Sequence, residues 1–186
     1  PGNPELASEL AARDASFTHN RTGIYGTMFI AAIISCAQVM NDKEEIIRTA
    51  LKYVPQKSRF FVRSKICLEE ILKASDWEDG YKKINNILNE YGHCRIYQEI
   101  GMMINSFLFA NNIYEGICIQ VSQGADTDSF GASVGSLMGC YYGPEGLDKK
   151  WLEIFNDDIH TGMAWFFERS VSNLAKRMGR LPVNLS

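Results

Sequence analysis

The chain has 186 residues, 46% of them hydrophobic and 22% charged, with a net charge of −3 and a pI near 5.7. That composition fits one soluble globular domain with a sizeable core. Scattered Lys and Arg on a mildly acidic chain argue against a nucleic-acid or anionic-membrane surface, so neither partner is expected.

The opening Pro1-Gly2-Asn3-Pro4-Glu5 reads as a loop entering a helix. It has no initiator Met and no basic region followed by an apolar core. The expectation is a processed or partial chain without a visible signal peptide. Asn3 as N-cap and Pro4 at the first helical position lead into Leu6, Leu10 and Ala11. Residues 22–41 carry no charge over a length near that of a bilayer span. Thr22, Thr27, Ser35 and Gln38 interrupt the run, and Tyr25 and Gly26 suit close helix packing. A buried central helix is the reading preferred over a span.

Asp42 with Glu45 resembles a capping box, and Ile46, Ile47, Ala50, Leu51 and Val54 form one apolar face that Pro55 ends. Residues 58–74 predict a less regular helix with charges on one side. Asp76 caps the next, where Trp77, Tyr81, Ile84, Leu88 and Tyr91 repeat at three and four until Gly92. Ile117, Ile119 and Val121 alternate, so 116–122 reads as a possible short strand that periodicity alone does not settle. Met163, Phe166, Phe167, Ser170, Leu174 and Met178 mark a last amphipathic helix closed by Gly179. With no other alternation, repeat or linker, the chain reads as a single all-α domain over 1–186.

Cys36, Cys67, Cys94, Cys118 and Cys140 lie far apart, with no CxxC pair and an odd count. Neither a zinc knuckle nor a disulfide framework is indicated. Reduced cysteines in apolar stretches suit a cytoplasmic location.

The chemistry concentrates in Gln123-Gly124-Ala125-Asp126-Thr127-Asp128-Ser129-Phe130-Gly131. Two carboxylates at i and i+2 with a hydroxyl beside them supply only oxygen donors, which hard cations such as Mg²⁺ select. Gly124 permits the turn that would aim both carboxylates at one point. Gly131, Gly135, Gly139 and Gly143 follow at four-residue spacing, a helix stripe without side chains. Such a run costs helix stability and predicts close approach of another backbone. An EF-hand would need ligands where Phe130 and Leu137 stand. A phosphatase DxDx[TV] is excluded by Phe130, and the DxD of sugar transferases belongs to α/β folds. The competing reading is that Asp126 or Asp128 caps the glycine-striped helix.

Gly124-Ala125-Asp126-Thr127-Asp128-Ser129, with Ala132, Gly135 and Gly139-Cys140-Tyr141-Tyr142-Gly143, resembles the C-terminal signature of the ADP-ribosylglycohydrolase family. Ala7-Ser8-Glu9-Leu10-Ala11-Ala12-Arg13-Asp14, Thr18-His19, Gly23-Ile24-Tyr25-Gly26 and Ala31-Ala32 agree with it, as do Ile159-His160-Thr161 and Leu174-Ala175-Lys176-Arg177. The resemblance implies a compact multi-helix orthogonal bundle. It implies a hydrolase that cuts the bond between ADP-ribose and a protein side chain or small acceptor, using two Mg²⁺ (or Mn²⁺). Asp126, Asp128 and Ser129 would be metal ligands, with His19, Gly23, Tyr25 and Gly26 bordering the ADP-ribose pocket.

The family's N-terminal Thr-Asp-Asp element has no counterpart here, and the Asp157-Asp158 pair follows the signature instead of preceding it. The chain is therefore expected to be the C-terminal part of a catalytic domain. Its missing N-terminal segment would be its partner, and the general acid–base residue would lie outside the chain. A non-catalytic ADP-ribose-binding or scaffold module with an incomplete metal site is the alternative. His160 reads as structural. Glu90 and His93 share the spacing of a metal half-site, a pattern more often found on a solvated face.

Overall fold

A computed structural model describes residues 1–92 and 94–181, and His93 therefore lies outside the described residues. The architecture is all-α, with ten α-helices and no strand among the described residues. The described chain divides into two compact units, Pro1–Gly146 and Leu147–Ser186.

In the first unit, α1 (Pro4–Ala15) begins where Asn3 Oδ1 accepts the Leu6 N–H at 3.0 Å. α2 spans Thr22–Ala37 and buries Gly26, Phe29, Ala32, Ile33 and Cys36. No described helix is long and apolar enough to cross a membrane. Asp42 caps α3 (Lys43–Leu51) through the Glu45 N–H at 2.7 Å. That helix ends ahead of Pro55, and Val54 is buried in the turn beyond it. Ser58 caps α4 (Arg59–Ile71) and Asp76 caps α5 (Trp77–Leu88), each accepting the N–H three residues on. The polar cap residues in the sequence thus set these starts, each contributing about 1 kcal/mol.

α6 (Ile96–Phe109) is an element that periodicity did not reveal, and it is the most buried of the described helices. It packs against α2, α3, α4, α5, α7 and α8, so the centre of the unit belongs to α6 as much as to α2. Its first turn follows Arg95, which provides no side-chain cap, and it is apolar on nearly every face. Both usual signals, a cap and a polar stripe, are missing.

α7 (Ile113–Ser122) overturns the strand reading of 116–122. Asn112 caps it through the Glu115 N–H at 2.8 Å, and Ile113, Gly116, Ile119 and Gln120 form its buried face. That spacing is helical, so the alternating Ile117, Ile119 and Val121 are coincident with it. α8 (Thr127–Tyr142) carries the glycine stripe and ends at Gly143, whose φ of +73° suits a residue without Cβ. A short 3₁₀ turn, Pro144–Gly146, follows.

Among the described residues, no other element's backbone comes among the nearest atoms to a Cβ placed on Gly131, Gly135 or Gly139. A Cβ at Gly135 or Gly131 would meet Ile117 Cδ1 at 3.6 Å or Val121 Cγ1 at 3.7 Å, ordinary contacts, and one at Gly139 would meet nothing within 4 Å. Close approach occurs elsewhere. A Cβ at Gly26 would lie 2.4 Å from Ile96 Cγ1, one at Gly116 2.5 Å from Met138 Cε, and one at Gly80 2.0 Å from Asn105 Oδ1.

A buried polar network ties α6 to the end of α7. Asn105 donates to Trp77 O and Gln123 Oε1, both at 2.9 Å. Gln123 Nε2 donates to Ser106 Oγ at 2.8 Å, and Ser106 Oγ donates to Met102 O and pairs with Gln120 Oε1. These bonds fix Gln123 immediately before the acidic loop. At the far end, Lys43 Nζ sits 5.5–5.6 Å from the ring centroids of Phe107, Tyr141 and Tyr142 and donates to Ala110 O. This cation–π box joins the start of α3 to α6 and α8.

The second unit holds α9 (Lys149–Phe155) and α10 (Val171–Met178). The helix expected from Met163 onward begins only at Val171. Ser170 caps it through the Asn173 N–H at 3.0 Å and forms an antiparallel bridge with Asp158. The Ile159 N–H donates to Arg169 O at 2.8 Å, which holds the preceding residues in an extended return. Asp157 and Asp158 are engaged here. Asp157 accepts from Ser170 Oγ at 2.5 Å and from the Ser172 N–H at 2.7 Å, and Asp158 takes the Arg169 guanidinium. His160 Nε2 lies 3.1 Å from Asp158 Oδ2.

Candidate functional site

The chain between α7 and α8 turns through two consecutive residues with positive φ, Gly124 at +79° and Ala125 at +61°. Gly124 takes this conformation freely, as its place before the acidic pair predicts. Ala125 does so against a steric penalty, so something must hold it. The holder is Glu99 of α6, whose Oε1 accepts the Asp126 N–H at 3.1 Å. Glu99 is 1% exposed and is the one charged residue in the α6 run. That isolation in an apolar stretch was the available sequence signal for it.

Asp126 occupies the N-cap position of α8, yet its carboxylate makes no capping hydrogen bond. Asp128 accepts from its neighbour Ser129 N–H at 2.9 Å, which is not a helix cap either. A hydrogen bond with the Asp126 side chain, and then that N–H, holds the Asp128 carboxyl below the usual carboxylate range. The two acidic side chains therefore converge, as their i, i+2 spacing predicts. Asp128 and Ser129 are exposed on the first turn of α8.

Asp126 and Glu99 line an open cleft of about 1010 Å³. Its opposite wall is the corner between α1 and α2, with Thr18, His19 and Gly23. His19 Nδ1 is hydrogen-bonded to Thr18 Oγ1 at 2.8 Å. A Cβ on Gly23 would lie 2.8 Å from His19 Cδ2, so glycine there leaves room for the ring. The fold thus brings His19, Gly23 and Asp126 into one cavity from distant parts of the sequence. Tyr25 lines a smaller neighbouring pocket, and Gly26 is buried against Ile96 in the α2–α6 contact. Arg21, Arg95, Tyr97 and the exposed Cys94 also line the main cleft and carried no sequence signal. Tyr97 stacks on Tyr91 with centroids 4.2 Å apart, and its hydroxyl lies 3.2 Å from Thr22 Oγ1.

The donor set suits a hard cation in kind, since it contains only oxygen. In number it falls short. Among the described residues no group of three or more His, Cys, Asp or Glu side chains is placed to hold a metal ion. Asp126 and Asp128 supply two carboxylates, with the Ser129 hydroxyl next in the chain.

The fold and the cleft define an all-α protein with an acidic, conformationally fixed loop facing a Thr-His corner. The chain belongs to the ADP-ribosylglycohydrolase family, whose profile matches residues 1–180. Comparison with curated proteins and with solved structures gave no match.

Proposed function

We propose that the chain is the metal-bearing part of a hydrolase that cleaves the glycosidic bond between ADP-ribose and a protein side chain or small acceptor. The observation that carries this reading is the state of Asp126. It stands at a helix N-cap without capping, converges with Asp128, and faces His19 and Gly23 across a cleft of small-molecule size. Two converging carboxylates repel unless a proton or cation lies between them.

Asp126, Asp128 and Ser129 would hold Mg²⁺, or Mn²⁺, in a site that in this family takes two ions. The metal, when bound, would template the ribose hydroxyls and lower the pKa of a water. The role of the protein residues is placement. Glu99 fixes the backbone of the acidic loop, Asp126 and Asp128 supply the carboxylate oxygens as ligands, and His19 with Gly23 borders the ADP-ribose. Tyr25 and Gly26 support that border from the neighbouring pocket and the α2–α6 contact. Mg²⁺ takes six oxygens, more than three residues provide, so the remaining positions fall to water, substrate or a further segment of the protein. That shortfall favours one second reading, an ADP-ribose-binding module without turnover.

Calorimetry with Mg²⁺ and Mn²⁺ tests the first reading. Affinity should be lost in Asp128→Ala and Asp126→Ala while helicity by circular dichroism is kept, and equal binding by parent and variants would refute the ligand assignment. Hydrolysis of an ADP-ribosylated peptide separates the two readings. With three ligands the 186-residue chain should turn over at least about a hundredfold more slowly than a form with a complete site, because a loosely held metal misplaces the ribose. ADP-ribose binding with no metal-dependent turnover in any longer form would support the binding module instead.

A further inference from the structure

The arginines of the chain fall into two groups. Arg13, Arg48, Arg63, Arg169 and Arg177 each pair with a carboxylate. Among the described residues Arg21, Arg59 and Arg95 form no such pair, and, Arg180 near the chain end apart, they are the arginines left over. All three line the main cleft or the smaller pocket beside it.

That smaller pocket has a volume of about 340 Å³ and is walled by Arg21, Thr22, Tyr25, Ser58, Arg59 and Tyr97. Two of its lining residues carry guanidinium groups, four carry hydroxyls, and none carries a carboxylate. Arg21, Thr22 and Tyr97 also line the main cleft, so the two spaces share a wall. Arg21 has a φ of +42°, a conformation that a residue with a side chain rarely adopts, and it stands where the two spaces join. Guanidinium groups without a carboxylate partner, lining one pocket together with hydroxyl-bearing residues, suit the oxygens of a phosphate group in charge and hydrogen-bonding chemistry. The geometry points to a phosphate-class oxyanion site between Arg21 and Arg59, next to the main cleft and opposite in charge to its acidic wall. The site stands whether or not the main cleft hydrolyses a substrate. Both arginines are exposed, so binding weakens with salt.

The test titrates the full chain with inorganic phosphate at constant ionic strength, followed by calorimetry and by NMR of the arginine side-chain N–H groups. Saturable binding is expected. Arg59→Gln should weaken it about tenfold or more, since a hydrogen bond to a charged group is lost, and Arg59→Lys should weaken it less. Arg13→Gln, which removes the same charge elsewhere, should change it by less than about twofold. Melting temperatures verify that the variants fold, and Arg21→Gln serves if Arg59→Gln does not. Repeating the titration with ADP-ribose at saturation identifies the source of the phosphate. Competition assigns the site to the ligand's own phosphates, and unchanged binding assigns it to a separate phosphate. No saturable binding, or equal weakening in Arg13→Gln and Arg59→Gln, overturns the proposal.

Discussion

Glu99 is a buried carboxylate, and one of its bonds is the one it accepts from the backbone N–H of Asp126. Removing the acceptor leaves a part-buried donor unsatisfied, which costs about 1–3 kcal/mol. Glu99→Ala should therefore lower the urea-unfolding free energy by about that amount. It should also weaken Mg²⁺ binding, because Ala125 would no longer be held at positive φ. Glu99→Gln keeps an Oε1 acceptor and should retain most of the stability. Equal losses in the two variants would show that this hydrogen bond is not what fixes the loop. Residue type and spacing singled out the acidic pair but left its role open between metal ligand and helix cap. Glu99 was not legible, since one Glu in an apolar run looks like any tolerated charge until the fold brings its helix beside the loop.

Helix starts were legible wherever a short polar side chain stands before the first turn, as at Asn3, Asp42, Ser58 and Asp76. They were illegible at α6, where burial on all sides replaces both cap and amphipathic stripe. The glycine stripe was seen in the sequence but its cause was misread, because spacing shows which face lacks side chains and not what lies against it. The contrast is measurable. Gly139→Ala meets open space and should stabilise the protein by up to about 1 kcal/mol through helix propensity. Gly80→Ala drives a Cβ into Asn105 Oδ1 and the buried network, and should cost about 1–3 kcal/mol or more in thermal melts. At α10 the sequence gives the end, Gly179, but not the start, which depends on Asp157 reaching Ser170 and Ser172. The hydrogen bond from the Ser170 hydroxyl, then that from the Ser172 N–H, depresses the Asp157 pKa. A depressed folded pKa means stabilisation that is present above the unfolded value, about 3.9, and lost as pH falls through the folded one. Amide exchange at Ser172 and Asn173 should therefore accelerate below about pH 4, and Asp157→Asn should abolish that step.

Across the whole molecule, burial is uneven. The core lies in Pro1–Gly146, where Phe29, Phe60 and Phe107 are fully enclosed. In Leu147–Ser186 no described residue is fully buried, and Trp165 and Phe167 are 88% and 82% exposed. The sequence reads as one domain because no linker composition separates the two units, and the family profile runs through both. Hydrogen exchange should resolve them, since protection follows buried, packed hydrogen bonds. Amides of α6 should be the slowest in the chain and those of α9 and α10 among the fastest. Comparable protection in α6 and α10 would contradict this distribution of stability.

The placement of the thiols has a practical consequence for assays of the cleft. Alkylating reagents attack the thiolate, so burial protects a cysteine twice, by access and by pKa. Burial pushes the Cys67 thiol up to about 12 and also raises Cys36 and Cys140. Cys94 is exposed on the wall of the main cleft beside Arg95. Substoichiometric maleimide followed by peptide mass spectrometry should find Cys94 labelled first. A fluorophore attached there would report on the cleft from its own rim, giving a binding assay that needs neither an engineered handle nor turnover.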